Sequence, residues 1–166
     1  KVQQSHVEIR EFKDRDYESK VEIENLNFPD QRGTVEEARY DDEHFDRTKY
    51  FDRRYVAEDP STGRVVAHAH FNHMPWNFHP DKYGMWIAVH PKWQRRGIGK
   101  TLYGRVLADL AERGATTIRS WVRENMEPSV AFLKNRGFVA RLRNWESHLS
   151  VPDFDAKIAA ARSSSP

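Results

Sequence analysis

There is no cysteine anywhere in the 166 residues of this chain. That excludes a disulfide framework and any zinc site built on cysteine. No apolar run approaches the ~18 residues of a membrane-spanning helix, and no signal-peptide pattern is visible. An excess of one charge is missing too: 27 basic and 25 acidic residues nearly cancel, which argues against a general nucleic-acid surface. The positive charge is local, at residues 92–100. No internal repeat is visible. What is present is a globular composition, 38% hydrophobic and 12% aromatic, in a chain long enough for one domain with a proper core. A cytoplasmic location is the default expectation. The first residue is Lys1 rather than Met, which reads as a processed chain or a fragment of a longer one.

One stretch organises the rest. Met85 to Val89 is a short unbroken apolar run, as expected of a strand buried on both faces. Pro91 ends it by removing a donor and fixing φ. Ile98, Leu102, Val106 and Leu110 then recur every four residues, so a helix begins near Gly97 and buries one stripe. Gly114 stands where a C-terminal glycine would stop that helix. Between strand and helix lies a basic glycine loop. A helix start leaves backbone N–H groups unpaired and carries partial positive charge. Gly97 and Gly99 have no Cβ, so an anion can come close to the backbone, and Arg95, Arg96 and Lys100 add full charges beside it. The loop lacks both the G-x-x-x-x-G-K-[ST] spacing and the three glycines of the dinucleotide fingerprint. It therefore predicts a diphosphate site that is neither an ordinary NTP site nor an NAD site.

Gln94-Arg95-Arg96-Gly97-Ile98-Gly99 resembles the Q/R-x-x-G-x-G/A loop of the GNAT superfamily of N-acetyltransferases, and the apolar strand with Val89-His90-Pro91 fits that likeness. Asn125, Ser129, Phe132 and Gly137-Phe138 resemble its second signature, N-x-x-[AS]-x-x-[FLY]-x-x-x-x-G-F. The resemblance implies an α/β fold of the α+β type, with a mixed, mostly antiparallel central sheet and helices on both faces. It implies acetyl-coenzyme A as cosubstrate. Gln94, Arg95, Arg96, Gly97, Ile98, Gly99, Lys100 and Thr101 would cradle its pyrophosphate. Ile87, Ala88 and Val89 would pair with its pantetheine arm as an added strand pairs with a sheet edge. Asn125, Ser129 and Phe132 would lie beside it on a later helix. Residues 1–152 would form the acetyltransferase domain. Residues 153–166 would be a linker or docking arm, leading to a second similar domain in a longer parent.

Taken in order, Val7 to Arg10 alternates as a first strand. Asp14 or Asp16 can cap a helix ending at Phe28-Pro29, and Thr34 with Glu37 reads as a capping box for a second helix. Residues 41–54 are dense in acids and aromatics; they read as a solvated helix end or, functionally, as an acidic wall for a cationic amine. Arg54–Glu58 and Arg64–Asn72 form a hairpin about Asp59-Pro60-Ser61-Thr62-Gly63. Its alternation puts Val66, His68 and His70 on one face and Val65, Ala67, Ala69 and Phe71 on the other. The two histidines lack a third ligand at a recognisable spacing, so no metal is expected. Residues 74–82 form an aromatic loop before the core strand. Residues 116–122 are a further strand, Ser129–Arg136 a helix stopped by Gly137, and residues 138–150 the last strands.

By resemblance, an amine attacks the thioester directly within a ternary complex. With a lysine-like pKa of ~10.4, only about one amine in 2,500 is neutral at pH 7, a deficit of roughly 4.6 kcal/mol. Glu124, His73 and His79 are candidates for the base. Backbone N–H groups at Ala88 and Val89 would stabilise the oxyanion. Many family members carry a proton-donating tyrosine where this chain has Phe132 or Leu133, depending on which signature is counted from. A thiolate leaves readily without help, so the reading is a working enzyme whose thiolate takes a proton from water or another group, such as Tyr103. The acceptor is a primary amine, on a small molecule or a protein. The resemblance leaves room for a homodimer or a second GNAT domain, and implies neither nucleic acid nor membrane as partner. A non-catalytic acetyl-coenzyme A-binding module, or the degenerate half of a tandem protein, is the alternative.

Overall fold

A tight turn sets the first half of the sheet. The Asp59 carboxylate accepts hydrogen bonds from the backbone N–H and hydroxyl of Ser61 at 3.0 and 2.8 Å, and Gly63 takes a φ of 73° that favours glycine. The turn folds β2 (Asp52–Asp59) back on β3 (Arg64–Asn72). In the computed structural model, which describes residues 6–122, 126–141 and 144–149, this hairpin is the middle of a meander. β1 (Glu8–Glu11) pairs antiparallel with β2, and β3 with β4 (Lys82–Val89). The chain then crosses over through α3 (Ile98–Glu112) to β5 (Thr117–Ser120), which lies parallel to β4. β6 (Val139–Ala140) and β7 (Trp145–His148) complete a seven-stranded mixed sheet in the order β1-β2-β3-β4-β5-β7-β6. Its other neighbouring strands are antiparallel, as expected from the sequence.

The largest core cluster lies between the sheet and α3. The α3 residues Ile98, Leu102, Tyr103, Val106, Leu107 and Leu110 are all buried, at the spacing of one helical stripe. They pack with Ala67, Ala69, Phe71 and Met85 from the strands. Burying one such leucine or isoleucine stabilises the fold by about 1.5–3 kcal/mol. The opposite face carries α1 (Tyr17–Asn27), whose Ile23 packs with Val56, Val65 and Ala88. α2 (Val35–Glu43) follows, and the Thr34 hydroxyl accepts from the Glu37 N–H at 3.1 Å, as the capping pattern predicts. Asp16 differs from expectation. Its carboxylate does not cap α1; it is occupied by Arg10 and by the Lys13 N–H.

The hairpin also corrects the predicted alternation. Ala57 pairs with Ala67 but Glu58 pairs with Val65, so Val66 is an extra residue in β3. This bulge reverses the expected places of Val65 and Val66. Val65 joins the α1-side cluster with Ile23, while Val66 joins the main core with Ala67. Beyond the bulge the period of two resumes, and His68, His70 and Asn72 share the α1 face.

β4 begins three residues earlier than its apolar run. Gly84, just before that run, is glycine for a steric reason: a Cβ there would meet the Trp86 ring at 2.8 Å and the Trp121 ring at 3.2 Å. Its absence leaves room for the edges of two stacked indoles against the strand.

Candidate functional site

β4 and β5 pair only from Lys82 with Thr117 to Met85 with Ser120. Past that point β4 runs on to Val89 with β3 on one side and no described strand on the other, so the sheet forks. Backbone direction follows from parity. Met85 C=O accepts from the Ser120 hydroxyl at 2.8 Å, so it faces β5. His90 N–H donates to Val66 C=O at 2.8 Å, so it faces β3. Groups two residues apart on a strand point the same way. Ile87 and Val89 therefore present their amides to the fork, and Ala88 turns its amide to β3. The Val89 carbonyl is occupied by Asn27 Nδ2 at 3.1 Å and Gln94 Nε2 at 3.2 Å.

The basic loop sits at the open end of this fork. Pro91–Trp93 makes one 3-10 turn, capped by His90 Nδ1, which accepts from the Lys92 N–H. Arg95 and Gly97 then both adopt left-handed conformations, with φ of 64° and 81°. Interleaved left-handed residues turn successive N–H groups into an anion-binding concavity. A Cβ on Gly97 would meet nothing within 4 Å, so the space above the loop is open. The first N–H groups of α3, from Ile98 to Lys100, open into it. Gln94 has a different role from the one predicted. Its amide donates to Asn27 Oδ1 and Val89 C=O and so ties α1, the end of β4 and the loop together. Thr101 donates its hydroxyl to Gly97 C=O, Arg96 lies over the Trp93 ring at 4.7 Å, and Arg95 and Lys100 are exposed. The Ile98 side chain is core, so only its backbone is available to an anion. Asn27 was invisible to sequence reasoning, since nothing local marks an asparagine that closes a contact 62 residues away.

α4 (Glu127–Asn135) brings the second signature to the first. A Cβ on Gly99 would touch the Phe132 ring at 3.5 Å. Ser129 is half-buried on the same helix, whereas Glu124 and Asn125 lie outside the described residues, as does the predicted arm at 153–166. Leu133 is buried among apolar groups. Tyr103, one turn past Gly99 on α3, packs edge-on against Phe132, and its buried hydroxyl has no hydrogen-bond partner. Burial raises its pKa, so it stays protonated. An orphan hydroxyl costs about 1–3 kcal/mol, so Tyr103→Phe should raise the melting temperature by about 2–12 °C, at about 2–4 °C per kcal/mol. A lower melting temperature in calorimetry would mean the hydroxyl has a partner in solution.

The predicted bases fare differently. His73 has both ring nitrogens occupied: Nδ1 accepts from the Phe51 N–H at 2.9 Å and Nε2 donates to Pro80 C=O at 3.1 Å. The ring also stacks on Tyr83, so its role is to fasten the loop to the sheet. The Nδ1 of His79 accepts from the Asp81 N–H in the same loop. Two of the acids in 41–54 are paired as well. Asp42 binds the Tyr17 hydroxyl and Arg54, and Asp52 binds Arg47 and His70, so these two hold α2 and β2 in place, while Asp41, Glu43 and Asp46 are exposed.

On the α1 face at the mouth of the fork stands a row of rings. Trp86 stacks on Trp121 at 4.8 Å with 9° between planes. Trp76 meets Trp121 edge-on at 6.1 Å, and His70 lies 5.8 Å from Trp86. The Nε2 of His70 is 2.5 Å from Asp52 Oδ1. Two residues before His70 on β3, His68 is buried, with Nε2 lacking a hydrogen bond and Glu24 Oε1 at 3.4 Å. Among the described residues no group of three or more His, Asp or Glu side chains is gathered as a metal site.

Comparison with known proteins agrees with this geometry. The profile of the Acetyltransferase (GNAT) family matches residues 18–138. Among curated proteins none matches the sequence. Solved structures share the fold at low identity. An N-acetyltransferase from Staphylococcus aureus Mu50 superposes with a TM-score of 0.72 at 19% identity, over 88% of this chain and 100% of that one. A Salmonella typhimurium protein assigned as an acetyltransferase, solved with its cofactor acetyl-CoA, gives 0.69 at 17% identity over 87% and 94%. A ribosomal-protein-alanine N-acetyltransferase from Brucella melitensis gives 0.68 at 18% identity over 86% and 99%.

Proposed function

Since the chain belongs to the GNAT family of acetyltransferases, which draw on acetyl-coenzyme A, we propose that it is an N-acetyltransferase acting directly on a primary amine. The observation that carries this reading is the fork: β4 leaves β5 after Met85, and the loop built on Arg95 and Gly97 opens at its end. The residues fit the donor. The concavity at Arg95–Lys100 suits a pyrophosphate, with open space above Gly97. The Ile87 amide suits an amide of a pantetheine arm laid along β4. Of the two predicted oxyanion donors, Val89 is the better placed, because the amide of Ala88 is turned to β3.

In the reaction, the amine nitrogen forms a bond to the thioester carbon, the C–S bond breaks, and the amine proton is lost. The chain's part is to hold the carbonyl oxygen against a backbone N–H fixed in advance, which is worth about 10²–10³ in rate for one donor. A departing thiolate needs little assistance, so the apolar residues Phe132 and Leu133 are compatible with turnover. Those same residues are the observation that favours the alternative, a module that binds acetyl-coenzyme A without transferring it. The test is calorimetric titration with acetyl-coenzyme A followed by thiol release over a broad amine panel. Binding with amine-dependent release supports transfer. Binding without release on any amine points to the module, and absence of binding overturns both.

A further inference from the structure

The row of rings at the mouth of the fork has a place and a composition that suit an acceptor. Trp86 is the first β4 residue past the last β4–β5 pair, and Trp121 directly follows β5. The stacked indoles therefore mark the point where the strands separate. From Trp86 to Val89 is three residues, about 10 Å at the usual ~3.3 Å per residue. An amine poised at the Ile87–Val89 backbone would thus hold its body over the indoles. Trp86 and Trp121 are only half-buried, and Trp76 is 67% exposed, so ring surface faces water. Gly84 is the structural complement, since any side chain there would displace both indoles.

The surrounding charge narrows the ligand. Asp52 is already met by Arg47 at 2.9 Å and by His70, so it offers no free carboxylate to a polycation. On the same face Arg119, in register with Gly84, lies with Arg141 and His148 around the single carboxylate of Glu146, at 3.4, 3.4 and 3.6 Å. Among the described residues there, two arginines meet one carboxylate, which disfavours polyamines and aminoglycosides.

We propose that Trp86, Trp121 and Trp76 form the acceptor subsite, and that it selects monoamines carried on a flat aromatic body. The proposal rests on the transferase reading above. Ring stacking on the indoles supplies the selectivity, at distances that favour offset or edge-on contact.

The test measures thiol release by the whole chain with 2-phenylethylamine, n-butylamine and spermidine. The value of kcat/KM for phenylethylamine should exceed the other two by at least tenfold. Trp121→Leu should bring phenylethylamine down to the level of butylamine through KM, and Trp121→Phe should restore the preference. Acetyl-coenzyme A titration reports whether each variant is folded. Butylamine or spermidine serving as well as phenylethylamine overturns the proposal, as does a Trp121→Leu loss located in kcat alone. If no amine is turned over, tryptophan fluorescence decides. Saturable quenching by phenylethylamine but not butylamine supports the subsite, and no quenching overturns it. Loss of acetyl-coenzyme A binding in the wild type would instead strike the parent reading. Turnover without ring preference strikes only this one.

Discussion

Gly97→Val should weaken acetyl-coenzyme A binding tenfold or more, about 1.4 kcal/mol. Two causes act together. At a φ of 81° a β-branched residue is a steric outlier, at a cost on the order of 1–3 kcal/mol, so the loop will distort to relieve it. If the loop holds its shape, the new side chain projects into the open space where a phosphate would come. Gly99→Ala is the contrast. Its Cβ would make ordinary contacts with Phe132 and Val89 at 3.5 and 3.8 Å, and no left-handed φ is required there. Calorimetry on both folded variants separates the cases. An unchanged affinity in Gly97→Val removes the loop from the donor site.

Acid should destabilise the protein in two stages, and the first belongs to His68. Burial holds this imidazole well below its usual pKa of 6.5, and Lys20, His70 and Arg54 push it the same way. The sign follows from proton counting. Below about pH 6.5 the unfolded chain protonates His68 while the folded chain does not, so stability falls by up to about 1.4 kcal/mol per pH unit. Glu24, at 3.4 Å, is the one carboxylate facing the ring among the described contacts, and it does not overcome the burial. The second stage belongs to Asp52. Despite burial, hydrogen bonding and charge from His70, then Arg47, lower its pKa to about 2. Its contribution, about 2 kcal/mol, is present above the unfolded value near 4 and is lost as pH falls toward 2. Denaturant unfolding of wild type and His68→Asn from pH 8 to pH 4 checks the first stage. If the variant keeps the same slope between pH 6.5 and 5, His68 is not its source.

The strand–loop–helix unit was legible because each part is written in adjacent residues. Apolar run, proline, glycines and a stripe every four residues all fall within Met85 to Leu110. The second helix was legible through Thr34 and Glu37. Long-range choices were not. The bulge at Val66 depends on how β3 meets β2, which no pattern in β3 alone reveals. His73 looked like a free base because its partners, Phe51 N–H and Pro80 C=O, are backbone groups that sequence never marks. Asp42 and Asp52 looked available because Arg47, Arg54 and His70 reach them only after folding. The tryptophans at 76, 86 and 121 are far apart in sequence, and only the fork and Gly84 bring them together.

The four-pair joint between β4 and β5 has a further consequence, for how the molecule comes apart. Parallel ladders are slightly weaker per residue than antiparallel ones, and here one short parallel ladder links the β1–β4 meander to β5, β7 and β6. That makes the joint a seam between two units of local unfolding. Amide hydrogens of β5 and β7 should exchange with solvent through a lower-energy opening than those of β2 and β3. A ligand riveting both edges of the fork would close the gap between the two exchange rates, because it binds only the form in which the seam is shut.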